Sequence, residues 1–289
     1  MRLVAFGDSG RERAGAIIAG ASDAIIPLDE IGIDASIRQL LADGRLGEVA
    51  ARLGQHAGPG IPLAAVRLGP PIADPSKIIC IGLNYHGHAA EQGVAPPARP
   101  LLFAKAPSSL VGATDPIVVP DPDCGPDYEV ELVVVIGRRA KQVSAAEAMR
   151  HVAGWMVGND VSARRWQKDD GQWFRAKSCD TFFPCGPWLT TADAVPDHTA
   201  LRLTTTIAGE TLQDALAADL IHGVPALIAY ISSQITLEPG DLISTGTPAG
   251  VGVWRNPKRF LRLGETVACA ISELGALRNP VVAMNVPIA

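Results

Sequence analysis

Short apolar runs separated by glycine and proline predict that most of this chain is β-strand. Each run is rich in Val, Ile and Leu and is too short for a typical helix. Only two helices are predicted beyond residue 75, Ala145–His151 and Val224–Ser233. This balance favours an α+β, mostly β fold with a folded-over mixed sheet rather than a doubly wound one. The predicted strands are Lys77–Gly82, Leu101–Ala104, Pro116–Val119, Glu129–Ile136, Val152–Val157, Leu201–Ile207, Asp241–Ser244 and Glu265–Ile271.

The first 70 residues have a different pattern. Apolar positions from Ile37 to Leu53 predict one helix, although Gly44 and Gly47 weaken it. The proline-rich stretch Leu68–Pro75 predicts a linker, because proline continues neither a helix nor a central strand. We therefore predict a small N-terminal α/β domain over residues 1–70 and a catalytic domain over 75–289. The meander of strands predicted before the helix is Arg2–Phe6, Ala14–Ile18 and Ala24–Leu28.

Composition excludes several classes of protein. The 289 residues carry a formal net charge of −5 without a Lys/Arg cluster, so nucleic acid and anionic membranes are poor partners. No run of about 18 apolar residues predicts a membrane span. The five cysteines are odd in number, scattered and free of Cys-x-x-Cys pairs, which favours a reducing compartment. We expect a soluble, cytoplasmic enzyme.

Two acids begin the most apolar predicted strand. Glu129 and Glu131 are two residues apart, so their side chains point the same way, about 7 Å apart along the chain. Such carboxylates repel each other unless a cation or proton lies between them. Asp160 ends the next predicted strand and could supply a third oxygen ligand. The set suits Mg²⁺ or Mn²⁺, and the alternative is a solvated strand end.

Further polar groups could carry chemistry. His88 and Glu91 are three apart, so on a helical turn the carboxylate would orient the imidazole as a general base. The alternatives are a pair of surface polar residues, or His86 and His88 as metal ligands. Arg164 and Gln167 are one helical turn apart and could bind a carboxylate or a carbonyl oxygen.

The segment Lys177–Thr181 and the glycine-rich segment Ser244–Gly252 offer other candidates. Lys177 could reach a metal-bound anion, whereas Cys179 has no evident base and is a poor nucleophile. In the glycine-rich segment, backbone amides can approach an anion closely and Thr247 can donate a hydrogen bond. This segment matches neither a Walker loop nor Gly-x-Gly-x-x-Gly, and no Gly-x-Ser-x-Gly elbow occurs in the chain.

Five blocks in order, from about Lys77 to Val282, resemble the fumarylacetoacetate hydrolase superfamily. The resemblance implies a mixed β-sandwich roll, usually a homodimer, with Mg²⁺ or Mn²⁺ held by Glu129, Glu131 and Asp160. The blocks are Gly82–Tyr85 with His88 and Glu91, Tyr128–Glu131, Asn159–Arg164, Lys177–Thr181 and Thr245–Gly252.

The same resemblance implies roles for individual residues. His88 and Glu91 match the catalytic dyad of acylpyruvase-like members, carried on a lid, and Lys177 matches the active-site lysine. The substrate-binding set that the matching blocks imply is Tyr85, Arg164, Gln167, Gly246 and Thr247. The chain departs from the motif at His86, often a small residue, and at Cys179, often Phe.

Together these features predict metal-dependent hydrolysis of a C–C bond in an acylpyruvate or other 2,4-diketo acid, giving pyruvate and a carboxylic acid. His88 would deprotonate the attacking water, and the metal would act as template and Lewis acid. Degradation of a deoxy-diketo sugar acid is a further possibility, with 169–173 lining the specificity site. The alternative is decarboxylation or tautomerisation of oxaloacetate, or isomerisation of an unsaturated dicarboxylate, on the same site. A different class, a catalytically silent metal- or ligand-binding protein, conflicts with the intact acidic and His/Glu sets.

Overall fold

The computed structural model describes residues 1–17 and 24–284 of the chain. The strands are β1 Arg2–Phe6, β2 Arg13–Ile17, β3 Ala24–Pro27, β4 Ile61–Pro62, β5 Leu68–Gly69, β6 Ile78–Gly82, β7 Leu101–Lys105, β8 Leu110–Val111, β9 Ile117–Val119, β10 Pro126–Asp127, β11 Val130–Ile136, β12 Val152–Asn159, β13 Ser162–Ala163, β14 Phe183–Thr191, β15 Arg202–Ile207, β16 Glu210–Leu216, β17 Leu242–Ser244, β18 Thr266–Ile271 and β19 Gly275–Ala283. The helices are α1 Ile37–Ala42, α2 Leu46–Leu53, α3 His86–Glu91, α4 Arg164–Asp169, α5 Phe174–Lys177 and α6 Val224–Gln234.

A large mixed sheet carries the centre of the molecule. Its main path runs β4-β3-β2-β1-β14-β12-β11-β17-β6-β7, with β5 paired to β1 and β8 to β14. Every residue of β11 and β12 is buried, because apolar side chains on both faces pack into the two core clusters. β-Branched residues suit such a strand. The acids at the start of β11 therefore lie at the edge of the core.

A second sheet covers one face of the first. Its order is β16-β15-β18-β19-β9, and β15 and β18 alternate buried with less buried positions. This period of two is typical of a strand with one face against a core, and here that face packs onto β11, β12 and β14. The α+β, mostly β sandwich predicted from the sequence is confirmed.

The N-terminal strands continue the main sheet. β1, β2 and β3 confirm the predicted meander, although Ile18 and residues 19–23 lie outside the described part of the chain. β1 pairs with β14 on its other side, so the first 70 residues extend the sheet of the larger part. The division into two domains stays a prediction.

Three local predictions are wrong. The helix expected from Ile37 to Leu53 is two helices, α1 and α2, because Gly44 adopts φ 67° in the turn between them. The predicted linker begins as strand β5, whose Leu68 pairs with Phe6 of β1.

The third concerns residues 145–151, where only a 3₁₀ helix forms, Ala148–His151. The amides of Glu147 and Arg150 each bond the carbonyl three residues back, which is the 3₁₀ pattern and not the α-helical one. Helix Val224–Gln234 confirms the other prediction. Within the described residues, no helix is long and apolar enough to span a bilayer.

Candidate active site

Antiparallel pairing of β11 with β12 brings the three predicted acids together. Val130 pairs with Asn159, which sets Glu129 beside Asp160, and the amide of Asp160 donates to the Glu129 carbonyl at 2.9 Å. One carboxylate oxygen from each of Glu129, Glu131 and Asp160 lies within 4.8 Å of the others. All three side chains are buried. We call this cluster the acidic floor.

Two buried lysines partly neutralise the acidic floor. Lys177 Nζ donates to Glu129 Oε2 and to Asp160 Oδ2, each at 2.7 Å. Lys105 Nζ donates to Asp160 Oδ1 at 2.7 Å and also bonds the Lys177 carbonyl. Both ammonium groups are shielded from solvent, so these ion pairs are little screened.

Glu131 differs from the other two acids because its partners are neutral. The Ser244 hydroxyl donates to Oε2 at 2.5 Å, and the Gly246 amide donates to the same atom at 3.0 Å. Burial and then the charges of Asp160 and Glu129 raise the pKa of Glu131 well above its usual value. Burial opposes ionisation of Glu129 too, yet Arg164 and Lys177 outweigh it and lower the pKa of Glu129.

This donor set fits a hard divalent cation. Three carboxylates converge, one of them has no cation beside it, and repulsion among them raises the pKa of that one. Carboxylate oxygens are the ligands that Mg²⁺ and Mn²⁺ prefer. The residues that would hold such an ion are Glu129, Glu131 and Asp160.

The glycine-rich segment after β17 supports the acidic floor from behind. Gly246 has φ 101°, and a Cβ there would lie 2.8 Å from the Cβ of Asn84, so only glycine lets the two segments approach. The Thr247 hydroxyl donates to the Val130 carbonyl at 3.0 Å and accepts from Gln213 Nε2 at 2.8 Å. Its only hydroxyl proton is therefore used within the protein, where the sequence predicted a donor to substrate.

His88 and Glu91 form a dyad on α3. His88 Nδ1 lies 2.5 Å from Glu91 Oε1, and His88 Nε2 lies 2.8 Å from Gln92 Nε2. An amide nitrogen only donates, so Nε2 accepts and Nδ1 carries the proton towards Glu91. The Gly250 amide donates to Glu91 Oε2 at 2.8 Å and fixes the carboxylate. His88 thus has the tautomer of a general base, with its lone pair on Nε2, where Gln92 now donates and from which a water would displace it.

α3 is anchored to the glycine-rich segment and to the loop before α6. Asn84 Nδ2 donates to the Thr245 carbonyl at 2.8 Å, and Asn84 Oδ1 accepts from the His222 amide at 2.9 Å. The Gly87 amide donates to Asp219 Oδ2 at 3.0 Å. These contacts set the position of the dyad relative to the acidic floor.

A cavity of about 700 Å³ joins the dyad to the acidic floor. The predicted site residues that line it are His88, Glu129, Glu131, Arg164, Gln167, Lys177 and Thr247. Leu101, Phe103 and Trp173 provide an apolar wall, and Trp173 is the one member of 169–173 among the lining residues. The arrangement can bind an anionic, partly apolar small molecule beside a base.

Two members of the predicted substrate-binding set, Tyr85 and Gly246, do not line the cavity. Tyr85 is completely buried in the main core cluster, and its hydroxyl has no hydrogen-bond partner among the residues that the structure describes. His86 is exposed on α3 and lies outside the buried acidic cluster, which contains no histidine within the described residues. Cys179 is half-buried, and burial raises its pKa, so its thiol is not activated.

Arg164 binds protein acids more than the sequence suggested. Nε donates to Asp127 Oδ2 at 2.8 Å, a second nitrogen bonds Glu129 Oε1, and the third donates to Gln167 Oε1 at 3.0 Å. Arg164 and Gln167 lie one helical turn apart on α4, as their spacing predicts, but here they bond each other, a contact that was not predicted. Arg164 reaches the cavity as a fixed positive charge.

Sequence reasoning missed three supporting residues, Lys105, Gln92 and Asp127. Lys105 follows an apolar strand, and no local pattern relates it to Asp160, 55 positions later. Gln92 directly follows Glu91, so its spacing of four from His88 was a usable signal. Asp127 is buried and accepts from Arg164 and from the Gly252 and Val253 amides, contacts that local sequence does not encode.

Comparison with known proteins identifies the family. Residues 77–282 match the family model described as fumarylacetoacetate hydrolase, C-terminal. The mitochondrial oxaloacetate tautomerase of Xenopus laevis is 46% identical over 214 residues, which is 73% of this chain and 67% of that protein.

Solved structures extend the similarity to nearly the whole chain. Maleylpyruvate hydrolase of Sphingobium sp. SYK-6, solved with manganese(II) and pyruvate, has a TM-score of 0.81 and 33% identity, covering 98% of this chain and 99% of that one. The 2-hydroxyhepta-2,4-diene-1,7-dioate isomerase of Mycobacterium marinum has a TM-score of 0.75 and 37% identity, covering 99% and 100%. The buried acidic cluster and the manganese-bound relative together indicate a divalent-metal site. The chain belongs to the fumarylacetoacetate hydrolase family and is an enzyme of that family.

Proposed function

We propose that this enzyme hydrolyses a C–C bond of an acylpyruvate or related 2,4-diketo acid, giving pyruvate and a carboxylic acid. The observation that carries the proposal is the oriented His88–Glu91 dyad on the same cavity as the acidic floor. A base with an unprotonated Nε2 is what activation of water requires, once water replaces Gln92 as the donor to that atom. The similarity to a maleylpyruvate hydrolase supports the same reaction class.

The residues divide the work between binding and proton transfer. His88 Nε2 takes a proton from water, and Glu91 stabilises the resulting imidazolium through Nδ1–H. Hydroxide adds to the distal carbonyl, the C–C bond breaks, and its electron pair leaves with the pyruvate fragment, which then takes a proton from His88. Lys177 and Arg164 supply positive charge at the cavity wall. A Mg²⁺ or Mn²⁺ ion held by Glu129, Glu131 and Asp160 would supply Lewis-acid stabilisation of oxygen anions.

A second candidate is keto–enol tautomerisation of oxaloacetate, favoured by the relatives of that name at 43–46% identity. His88 would then move a proton between carbon and oxygen without adding water. Decarboxylation of oxaloacetate or isomerisation of an unsaturated dicarboxylate would use the same groups. The name of one structural relative, 2-hydroxyhepta-2,4-diene-1,7-dioate isomerase, describes an isomerisation of this kind.

A substrate panel separates these reactions. The enzyme is stripped with EDTA and assayed with and without Mg²⁺ or Mn²⁺ on acetylpyruvate, fumarylpyruvate, a deoxy-diketo sugar acid and oxaloacetate. Cleavage and decarboxylation products are identified by mass, and keto–enol exchange of oxaloacetate is followed by ultraviolet absorbance. Metal-dependent pyruvate plus a carboxylic acid supports hydrolysis. Enol–keto exchange of oxaloacetate without acylpyruvate cleavage would replace hydrolysis by tautomerisation, and inactivity on the whole panel would contradict both.

A homodimer in the cytoplasm belongs to the same proposal. The support is the resemblance to homodimeric family members and the cysteine usage. The vertebrate relatives are named as mitochondrial, which is the competing location. Light scattering of the purified protein and fractionation of cells test the two parts separately.

A further inference from the structure

We propose that Lys168 and Lys258 form a second anion subsite that binds a carboxylate at the far end of the substrate. The enzyme would then select acylpyruvates with two carboxylates over those with a neutral tail. This inference rests on the proposed function for the identity of the substrate.

The two lysines differ from the other lysines of the chain. Of six lysines, four have a hydrogen-bond or ion-pair partner: Lys77 with Asp241, Lys105 and Lys177 with the acidic floor, and Lys141 with the Gln234 carbonyl. Within the described residues, Lys168 and Lys258 have no acidic group within 4.0 Å and no hydrogen bond. Both line the cavity that contains His88. The lysines without partners therefore share one site.

Two separate elements bring these lysines to the same cavity. Lys168 is in the last turn of α4, and Lys258 is in the loop between Trp254 and β18. The start of α4 and that loop are both tied to the chain where β10 begins, because the Arg164 amide donates to the Gly125 carbonyl and the Leu261 amide donates to the Pro126 carbonyl. The placement is thus set by backbone hydrogen bonds on both sides.

The charge around these lysines is unbalanced in favour of an anion. The nearby arginines already form ion pairs. Arg164 pairs with Glu129 and Asp127, and a guanidinium nitrogen of Arg165 lies 2.5 Å from Asp121 Oδ2. Asp123 also lines the cavity, but it forms no ion pair with either lysine. Two unpaired cations against one acid remain on this wall, in a protein whose net charge is −5. A carboxylate is the group that two such ammonium ions attract.

Both lysines are exposed, which places the subsite towards solvent, away from the buried acidic floor. A substrate would bind its reacting keto acid near Glu129 and Glu131 and extend its tail outwards. The aromatic rings of Trp173 and Phe260 line the same cavity, so an unsaturated acyl chain can pack against them while its terminal carboxylate reaches the lysines.

The test measures kcat/KM for fumarylpyruvate, which has the second carboxylate, and for acetylpyruvate, which does not. Lys168→Gln and Lys258→Gln should each lower the ratio of the two values about tenfold, mostly through KM for fumarylpyruvate. The double variant should lower it further, and Lys258→Arg should keep most of it. Lys141→Gln, an exposed lysine elsewhere, is the matched control and should leave the ratio unchanged.

A binding measurement keeps this inference separate from the proposed reaction. Calorimetry on the metal-loaded His88→Ala variant compares the affinities of the two compounds, with and without Lys258→Gln. If the enzyme turns over both compounds and the ratio of their kcat/KM values is the same in the lysine variants, the proposed subsite is wrong and the proposed function stands. If it turns over neither, tighter binding of fumarylpyruvate that depends on Lys258 still supports the subsite, whereas equal affinities overturn it.

Discussion

The acidic floor and the dyad helix α3 are built in opposite ways, although they face one cavity. The acidic floor is carried by β11 and β12, and β11 is hydrogen-bonded on both sides, to β12 and β17. The dyad is on a six-residue helix, too short to be stable by itself. It depends on tertiary contacts such as Gly87 to Asp219 and Glu91 to Gly250. The difference teaches that the binding charge is fixed by the sheet, whereas the base is positioned by a few side-chain contacts.

Replacing Glu131 by Ala should have the largest effect, because the acidic floor then loses the carboxylate without a cation partner. Metal-dependent turnover should fall to the metal-free background, a loss of at least about 10³-fold. Assays over a Mn²⁺ titration, with calorimetry of Mn²⁺ binding, measure both effects. Glu147→Ala, an exposed acid, is the control. An active variant that binds Mn²⁺ normally would remove Glu131 from the metal site.

Replacing His88 by Ala should remove the base and leave the acidic floor intact. We expect kcat to fall about 10²–10³-fold, while calorimetry shows that a non-reacting substrate analogue still binds. His86→Ala, two residues away and exposed on the same helix, should retain activity. If His88→Ala loses binding of the analogue as well as turnover, the role of His88 is to bind substrate and not to transfer a proton.

Replacing Lys177 by Met should test the stability of the acidic floor. Glu129 and Asp160 each lose a buried ion-pair partner, and such a loss costs about 3–5 kcal/mol in free energy of unfolding. Denaturant unfolding of the metal-free protein measures it, with Lys141→Met as control. His88→Ala should cost far less, about 1 kcal/mol. Equal losses in free energy of unfolding for Lys177→Met and His88→Ala would contradict the difference proposed between the acidic floor and the dyad helix.

Two members of the acidic floor have a local signal in the sequence. Glu129 and Glu131 are two residues apart at the start of an apolar run, and residues two apart point to the same face of any strand. The His88–Glu91 spacing was informative for the same reason. Lys105 could not be predicted, because its partner Asp160 follows a different strand and only the folded sheet brings the two residues together.

Strand β14 is an element that the pattern of apolar residues does not predict. Pro184, Gly186 and Pro187 interrupt its apolar residues, so it was not predicted, yet it lies between β1 and β12 in the main sheet. An irregular register between Trp155 and Val157 of β12 accommodates these residues. Neither the bulge nor the pairing across the chain is encoded in the local pattern.

The smallest predicted effect concerns how stability depends on pH in the metal-free protein. The folded state raises the pKa of Glu131, through burial and then the charges of Asp160 and Glu129. A carboxyl group with a raised folded pKa favours folding while it is protonated, and this contribution is lost as pH rises from the ordinary glutamate pKa through the folded one. Glu131→Gln removes the titration, and its amide oxygen can still accept from Ser244 and Gly246.

In EDTA, the Tm of Glu131→Gln minus that of the unaltered protein should therefore be near zero at low pH and positive by a few degrees at pH 8. Other buried acids such as Asp127, whose pKa burial also raises, affect both proteins alike and cancel in the difference. Mn²⁺ should reverse the order, because only the unaltered protein can bind it tightly and ligand binding stabilises the folded state. A Tm difference that does not change with pH would mean that the folded state does not raise the pKa of Glu131. The contrast with the dyad helix would then rest on the ion pairs of Lys177 alone.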